Sequence, residues 1–227
     1  MGILIKEKGE EDESASHVLE TYRRFPRLSG GHLCLDFVNT VEPRVGKNLH
    51  DVLTTYADLV LWSHYVGLLS EEEANMLLKE AQERQKESTA VFVEAMNLRE
   101  AAYSVFSARI HHASLPFSDL ETLQKMFVET MSYGHLEETV HGIQWQWSSE
   151  ERNLEQVLWP LSRSAVELLT SSEVTRVKEC PHWEGGCGWL FLDRSKNGSR
   201  RWCSDEECGS VVRMRRLYAR KRASKNT

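Results

Sequence analysis

The chain lacks the long apolar run that a membrane-spanning helix requires, because no hydrophobic stretch approaches about eighteen residues. Its opening segment, MGILIKEKGEEDESAS, is charged and has no apolar core of the kind that a secretory signal needs. There is no P-loop, G-x-G-x-x-G or G-x-S-x-G motif, and the nine histidines show no H-E-x-x-H spacing. We therefore expect a cytoplasmic protein that has no membrane partner and is not an enzyme.

Cysteine is almost missing from the first 179 residues, which contain Cys34 alone. The other four cysteines form two C-terminal pairs, a C-x6-C and a C-x4-C: Cys180, Cys187, Cys203 and Cys208. Two disulfides would suit an oxidising compartment, and a redox pair would prefer the C-x-x-C spacing, which is absent. Four thiolates suit a closed tetrahedral Zn²⁺ site. We predict one structural zinc ion bound by these four residues, with disulfides and unligated thiols as the alternatives. Cys34 is interpreted as a buried free thiol.

Acidic residues are few in the segment that holds the cysteine pairs. From Cys180 to the end, eleven Lys and Arg face five Asp and Glu, a net charge of +6 that four thiolates and a Zn²⁺ would lower to about +4. The rest of the chain carries 17 basic and 29 acidic residues, a net charge of −12. The whole-chain charge of −6 hides this asymmetry, which is typical of an acidic body joined to a basic segment that binds a partner.

Apolar residues between positions 48 and 170 recur mainly at helical spacing. The pattern predicts helices over 48–69, 89–112 and 151–170, and two shorter helices that begin at the serine caps Ser70 and Ser118. Alternation over Tyr133–Trp147 predicts a β-hairpin. The expected fold class is a mainly α body with a small β-hairpin element, α+β overall. We divide the chain into a disordered arm at 1–15, this helical domain at 16–176, and a zinc module at 177–227.

The zinc module is predicted to be treble-clef-like. Leu190 and Leu192 alternate with their neighbours as in a strand, and Asn197-Gly198 is a strong hairpin turn. A second strand would then bring Trp202 and Cys203 back beside Cys187. Ser204 is expected to cap the final helix, and an arc of that helix is expected to pack: Val211, Met214, Leu217 and Tyr218.

The final helix is densely cationic, with six Lys and Arg and no acid between Arg213 and Arg222. This density favours a polyanion, because Lys and Arg that neutralise phosphates drive sequence-independent binding. We predict that nucleic acid is contacted by three arginines of the helix and two before it: Arg213, Arg216, Arg220, Arg200 and Arg201. The alternative is a solvated helix, or one that docks on the acidic body.

A second candidate site lies near the front of the chain, where polar residues follow the apolar run HLCLDFV. Asp36, Asn39 and Arg44 are predicted to border a polar concavity that holds a small ligand. The alternative is that these side chains cap or turn their own backbone.

Two sets of motifs resemble a known family. GGHLCLDFVNTVEPR and DLVLWSHYVGLL resemble the ABATE domain, and WLFLDRSKNGSRRWCSDEECG resembles the CGNR zinc finger that follows it. The resemblance covers about Arg27 to Arg222. It implies a bacterial, stress-linked transcription regulator whose finger binds DNA and whose zinc ligands are the four cysteines named above. Ser210-Val211 stand where the family has Asn-Arg, so weaker DNA binding is expected here.

The residues and the resemblance together favour one function. We expect a zinc-containing transcription regulator that binds nucleic acid through its finger and basic helix, with an N-terminal sensor or oligomerisation domain. A small-molecule effector and a homodimer are compatible with it. The alternative is a small-molecule-binding or protein-interaction protein whose zinc site is purely structural.

Overall fold

The computed structural model describes residues 25–46, 48–140, 142–147, 153–181 and 186–225. The predicted disordered arm at 1–15 lies outside them. Helices dominate the described chain: α1 (Leu33–Val38), α2 (Tyr56–Tyr65), α3 (Glu71–Glu83), α4 (Gln85–Ile110), α5 (Phe117–Met131), α6 (Trp159–Thr170) and α7 (Ser210–Lys225). None of these helices is both long and apolar enough to cross a membrane.

The strands form three antiparallel pairs: β1 (Val41–Glu42) with β2 (His50–Asp51), β3 (Gly134–Thr139) with β4 (Gly142–Trp147), and β5 (Val177–Glu179) with β6 (Leu190–Leu192). The pair β3–β4 is the predicted hairpin, in register from Gly134 opposite Trp147 to Thr139 opposite Gly142. A mainly helical protein with small strand pairs confirms the predicted fold class.

Helix starts follow local capping chemistry, with some differences from the predictions. Ser70 caps α3 as predicted: its hydroxyl accepts from the Glu73 amide, and the Glu73 carboxylate accepts from the Ser70 amide. The helix predicted over 48–69 begins only at Tyr56, because Thr55 forms a capping box with Asp58. The predicted cap at Ser118 is wrong, since α5 begins at Phe117, directly after a proline.

The predicted helix over 151–170 is also divided. Within the described residues a 3-10 turn (Leu154–Val157) precedes α6, which begins at Trp159. Pro160 therefore stands in the first helical turn, where its missing N–H costs no hydrogen bond, and it does not kink the helix.

The short helix α1 lies at the centre of the body core. Four of its six residues are buried, and the helix packs against α4, α6 and β6. Its neighbours include the fully buried rings of Trp62 and Phe106, and the Trp62 ring lies 5.4 Å from that of Phe37 in α1. The run HLCLDFV is therefore mostly apolar because most of its residues are enclosed by other elements.

Strand β6 joins the zinc module to the body. Successive side chains of a strand point to opposite faces. Leu190 and Leu192 accordingly belong to the body core, whereas Phe191 belongs to a second core with Trp189, Trp202 and three of the cysteines. The module therefore shares a strand with the body and is packed against it.

The predicted second strand of the zinc module is wrong. Strand β6 pairs with β5, which precedes the first cysteine, with Val177 opposite Leu192. The chain turns at Gly198, but no strand follows it in the described residues up to Trp202. The buried carboxylate of Asp193 organises this segment instead, accepting from the amides of Ser195 and Arg200 at 2.9 and 3.0 Å. Backbone groups satisfied by a side chain need no partner strand.

Candidate metal centre and cationic helix

Backbone hydrogen bonds hold the two cysteines of the first pair close together after β5. The Cys180 amide donates to Trp189 O at 2.8 Å, and the Gly188 amide donates back to Cys180 O at 3.2 Å. A Cβ on Gly186 would lie 2.7 Å from Cys180 Sγ, so glycine is required for the chain to pass the sulfur. These contacts place Cys187 across from Cys180.

The second pair lies where the loop after β6 enters the last helix. Ser204 Oγ accepts from the Glu207 amide at 3.1 Å, as predicted, and caps a π-helical turn (Asp205–Gly209) that continues into α7. Cys203 precedes the cap and Cys208 lies within the turn. The base of α7 is therefore built around a candidate metal ligand.

The four sulfurs that the sequence predicts as zinc ligands form one cluster, with all Sγ atoms within 4.8 Å of one another. Cys203 Sγ lies 3.4 Å from Cys187 Sγ and 3.6 Å from Cys208 Sγ. Tetrahedral Zn–S bonds of about 2.3 Å place sulfurs about 3.8 Å apart. A disulfide needs about 2.05 Å, and all of these cysteines are free. The geometry fits a closed four-thiolate metal site and excludes the two-disulfide alternative.

The electrostatics of the cluster also fit a cation. Hydrogen bonds from Cys187, then from Cys203 and Cys208, lower the pKa of Cys180 far below the ordinary value of a thiol. The contact with Cys180 in turn raises the pKa of Cys187. The contact with Cys180 likewise raises the pKa of Cys203, so ionisation of these two thiols is opposed. A divalent cation balances the charge and allows all four sulfurs to be thiolates.

Sequence reasoning missed Asp193, which organises the turn between β6 and Cys203. Burial opposes ionisation of its carboxyl, but hydrogen bonds from Lys178 and Ser195 outweigh it and lower the pKa. Lys178 Nζ lies 2.6 Å from Asp193 Oδ2, and the carboxylate is fully buried. A signal was present: Asp followed two residues later by Ser is a common local turn motif.

The predicted ligand-binding residues of the front segment lie near the interface between the body and the zinc module, which we call the seam. Asn39 is buried: its Nδ2 donates to Leu190 O at 2.8 Å, and its Oδ1 accepts from Leu190 N at 2.9 Å. Asp36 Oδ1 accepts from Gly30 N at 2.7 Å. Burial raises the pKa of Asp36 to about 6, against the opposing effects of that hydrogen bond and of Arg200.

Arg44, the third of these residues, is also held inside the protein. Its Nη1 contacts both carboxylate oxygens of Glu100 at 3.0 Å, and its guanidinium lies 4.3 Å from the centre of the Tyr103 ring. Its amide donates to Cys187 O at 2.7 Å. Nε and Nη2 have no hydrogen-bond partner in the described structure. Asn39 and the Arg44 amide therefore connect the body to the zinc module, whereas the Asp36 carboxylate and the Arg44 guanidinium make their contacts within the body. A ligand site bordered by these three residues stays a prediction.

The five predicted nucleic-acid arginines fall into different environments. Arg200 Nε donates to Trp202 O at 3.1 Å, its Nη2 donates to Ser29 O at 2.9 Å, and its guanidinium lies over the Phe191 ring. This side chain ties the module to the body. Arg201 is exposed, with its guanidinium 5.5 Å from the Trp202 ring.

The other three of these arginines lie on α7. Arg213 forms an exposed ion pair with Asp205, with 2.7 Å between Nη1 and Oδ1, which ties the helix to its first turn. Arg216 and Arg220 follow one and two turns later and are exposed. Arg200 and Arg213 therefore make internal contacts through their guanidinium groups, and Arg201, Arg216 and Arg220 are exposed.

The apolar arc that was expected to pack is exposed. Val211, Met214, Leu217 and Tyr218 keep 43 to 56% of their surface accessible, and the helix is anchored through the buried Val212 instead. Helix α7 thus extends from the metal centre with an apolar stripe between cationic flanks. The prediction failed because an amphipathic pattern shows that a helix has an apolar face, without showing that the same chain covers it.

Comparison with protein families matches two successive regions of the chain. Residues 31–172, more than half of the chain, match the ABATE family, described as "Putative stress-induced transcription regulator". Residues 176–221 match the CGNR zinc finger. A comparison with curated proteins found no match. The matched regions include α1 and the whole four-sulfur cluster, so the chain belongs to the ABATE family and carries a CGNR zinc finger at its C-terminus.

Proposed function

We propose that this protein is a zinc-containing regulator that binds nucleic acid through α7. One observation supports the proposal above all. Residues 213–222 of α7 are exposed, and they present six cations with no acid among them. Guanidinium groups donate paired hydrogen bonds that match phosphate, and phosphate neutralisation supplies most non-specific affinity.

The metal would act as a structural element in this function. Cys180, Cys187, Cys203 and Cys208 would hold a zinc ion, which supplies charge balance and rigid geometry. Cys208 lies in the turn that leads into α7, and Val212 packs into the core that contains the other three cysteines. The sulfur cluster thereby sets the direction in which α7 leaves the module. Arg213 holds the first turn through Asp205, and Arg216 and Arg220 contact phosphates beyond it.

The acidic body would orient the protein on its target. With a net charge of −12 outside the C-terminal segment, the body is repelled by phosphates and leaves α7 as the surface of approach. Ser210 and Val211 supply neither the amide nor the guanidinium that the family motif has there. We therefore expect weaker binding than that of a relative with the full motif.

The test is a salt titration of binding to random duplex DNA. In the double variant Arg216→Ala/Arg220→Ala, affinity should fall similarly for unrelated sequences, and the salt slope should decrease by about one unit per lost contact. The matched control Lys79→Ala/Arg109→Ala removes two exposed cations from the body and should leave both quantities unchanged. Equal losses in the two double variants would contradict an interface on α7.

The alternative is a protein-interaction module with a structural zinc site, and the exposed stripe of α7 favours it. Val211, Met214, Leu217 and Tyr218 would then contact a protein, including a second copy of the chain. The nucleic-acid binding assay and a measurement of oligomeric state together distinguish the two functions. Absence of DNA and RNA binding at low salt, together with a dimer that Leu217→Glu converts to a monomer, would support this alternative in place of nucleic-acid binding.

A further inference from the structure

A cavity of about 850 Å³ lies where the front segment of the body, the cysteine turns and the base of α7 meet. Three sulfurs of the cluster belong to residues that line it: Cys187, Cys203 and Cys208. Cys180 is not among the described residues of the lining, and it is fully buried. One side of the sulfur cluster therefore faces a space much larger than a water molecule, which occupies about 30 Å³ in the liquid.

The four cysteines differ in how far solvent can reach them. Cys180 and Cys203 are 0% and 2% exposed, and Cys187 is 8% exposed. Cys208, in the π-helical turn before α7, is the one member of the cluster that is not buried. A thiolate reacts with an oxidant only where that molecule can reach the sulfur. Exposure therefore singles out Cys208 as the reactive sulfur.

A second sulfur lies close enough to Cys208 to complete a reaction with it. Cys203 Sγ is 3.6 Å from Cys208 Sγ, and Cys203 lines the same cavity. A cysteine oxidised to the sulfenic acid condenses with a neighbouring thiol to form a disulfide. The two residues are five positions apart on one turn, so a small local movement joins their sulfurs.

The charges around the cavity select the kind of oxidant. Apart from the sulfurs, the described lining has two cations and two anions, Arg27, Arg215, Glu42 and Glu207, and no net formal charge. Four thiolates with a Zn²⁺ carry a net charge of −2. Anionic oxidants are therefore repelled from the sulfurs, whereas a neutral hydroperoxide enters without an electrostatic cost.

We propose that Cys208 is an oxidation site for hydroperoxides, which enter this cavity and convert Cys208 and Cys203 into a disulfide. The site then retains two of its four metal ligands, Cys180 and Cys187, and no longer holds a zinc ion. This reaction belongs to the thiolates of this chain and does not depend on whether α7 binds nucleic acid.

The reaction has two steps. The Cys208 thiolate attacks one oxygen of the peroxide, so that an S–O bond forms, the O–O bond breaks and a hydroxide ion leaves. The Cys203 thiolate then attacks the oxidised sulfur, so that the S–S bond forms and a second hydroxide leaves. Each hydroxide takes a proton from solvent. Two thiolates thus lose two electrons in total, and hydrogen peroxide is reduced to two molecules of water.

Oxidation changes how α7 is attached. In the zinc-loaded protein, the metal would connect the turn that holds Cys208 to the first cysteine pair. The disulfide joins this turn to Cys203 alone, so the base of α7 loses its connection to the turn after β5. A resulting fall in nucleic-acid affinity is the one consequence that rests on the proposed function.

The experiment is titration of the zinc-loaded full chain with H₂O₂, free of reductant and with a metallochromic indicator present. We expect one zinc ion to be released per chain for each peroxide consumed. A thiol reductant with added zinc should then restore the metal content. Retention of zinc at a large molar excess of peroxide would overturn the proposal. So would release of zinc without any disulfide. No nucleic acid is needed for these measurements.

Peptide mapping identifies the pair that reacts. Trypsin cleaves after Lys and Arg, so Cys203 and Cys208 fall in the peptide 202–213, and Cys180 and Cys187 fall in 179–194. After the remaining thiols are alkylated, we expect 202–213 to have lost two hydrogens and 179–194 to carry two alkyl groups. A first disulfide within 179–194, or a cross-link between the two peptides, would overturn the assignment to Cys208 and Cys203.

Two surface variants test access through the cavity and leave every metal ligand in place. Val211 lines the cavity and is 43% exposed, so Val211→Trp should narrow the cavity and slow zinc release severalfold. The matched control Leu217→Trp places the same ring on the exposed stripe of α7, outside the described lining, and should react at the wild-type rate. Zinc content before oxidation verifies that each variant is folded. Equal rates in all three proteins would contradict entry of the oxidant through this cavity.

Discussion

At the scale of single residues, the protein uses polar side chains in place of missing backbone partners. Asn39 pairs with both the N–H and the C=O of Leu190, as a residue of a neighbouring strand would. The Asp193 carboxylate accepts from the amides of Ser195 and Arg200 in the turn after β6. Such contacts are obligatory because a buried backbone group without a partner is costly. They explain why polar residues lie so close to apolar runs in this chain.

Asp36 makes the stability of the protein depend on pH. Its pKa is about 6 in the folded protein, against 3.8 for the free residue, so the folded state holds a proton that the unfolded state releases. The stabilisation is fully present below about pH 4 and is lost as the pH rises through 6. In Asp36→Asn this loss should vanish, so the variant should gain about 1–3 kcal/mol on the wild type between pH 4 and 7.

The measurement is urea unfolding of both proteins at several pH values. Asparagine keeps the oxygen that accepts from Gly30, so the fold should be unchanged. A stability difference that stays constant from pH 4 to 7 would contradict this assignment of the Asp36 pKa.

At the scale of elements, the two faces of β6 belong to two different hydrophobic cores. Leu192 belongs to the body core and Phe191 to the core of the zinc module, and both are almost fully buried. Alternation of side chains along a strand produces this division. One face of the strand therefore stabilises the body, and the other face helps to fix the geometry of the sulfur cluster.

Substitutions on the two faces should separate these properties. Leu192→Ala should lower the free energy of unfolding of the body by about 2–5 kcal/mol, the usual cost of a buried Leu-to-Ala change. Phe191→Ala should mainly weaken zinc binding, since it empties the core beside the cysteines. Competition with a chromogenic zinc chelator and urea unfolding measure the two effects. If both variants changed zinc affinity equally, the division of β6 between two cores would be incorrect.

At the scale of the whole molecule, the metal module and the body are connected along a continuous seam. Trp189 Nε1 donates to Val41 O at 2.8 Å, Leu192 N donates to Gly30 O at 2.8 Å, and Arg44 N donates to Cys187 O at 2.7 Å. The contacts join residues that are 143 to 162 positions apart in the sequence. Changes at the sulfur cluster should therefore alter the stability of the body.

Loss of the metal site should have a graded effect. Cys203→Ser, or treatment with a strong chelator, should unfold α7 and the cysteine turns, because a module this small depends on its metal. The body should keep its helices, since its core is largely its own, but should melt at a lower temperature because the seam is weakened. Circular dichroism and calorimetry measure the two effects. Complete collapse of the helical signal, or an unchanged body transition, would contradict this partial coupling.

Much of this protein can be read from the sequence because the relevant physics is local. Four cysteines in two close pairs predict a sulfur cluster, and the structure brings all four together. Serine three residues before glutamate predicts the caps at Ser70 and Ser204, since the hydrogen bonds span a single turn. The β-hairpin between Gly134 and Trp147 follows from alternation and a short connection.

The tertiary structure decided what depends on distant parts of the chain. Strand β6 pairs with β5 and not with a following strand, Asn39 bonds to a residue 151 positions away, and α7 keeps its apolar arc exposed. Composition and periodicity indicate that a polar side chain needs a hydrogen-bond partner or that an apolar face needs to be buried. They do not indicate which segment of the chain provides the partner or buries the face. That choice is made when all elements pack at once, because each buried polar group and each apolar face competes for the same few neighbours.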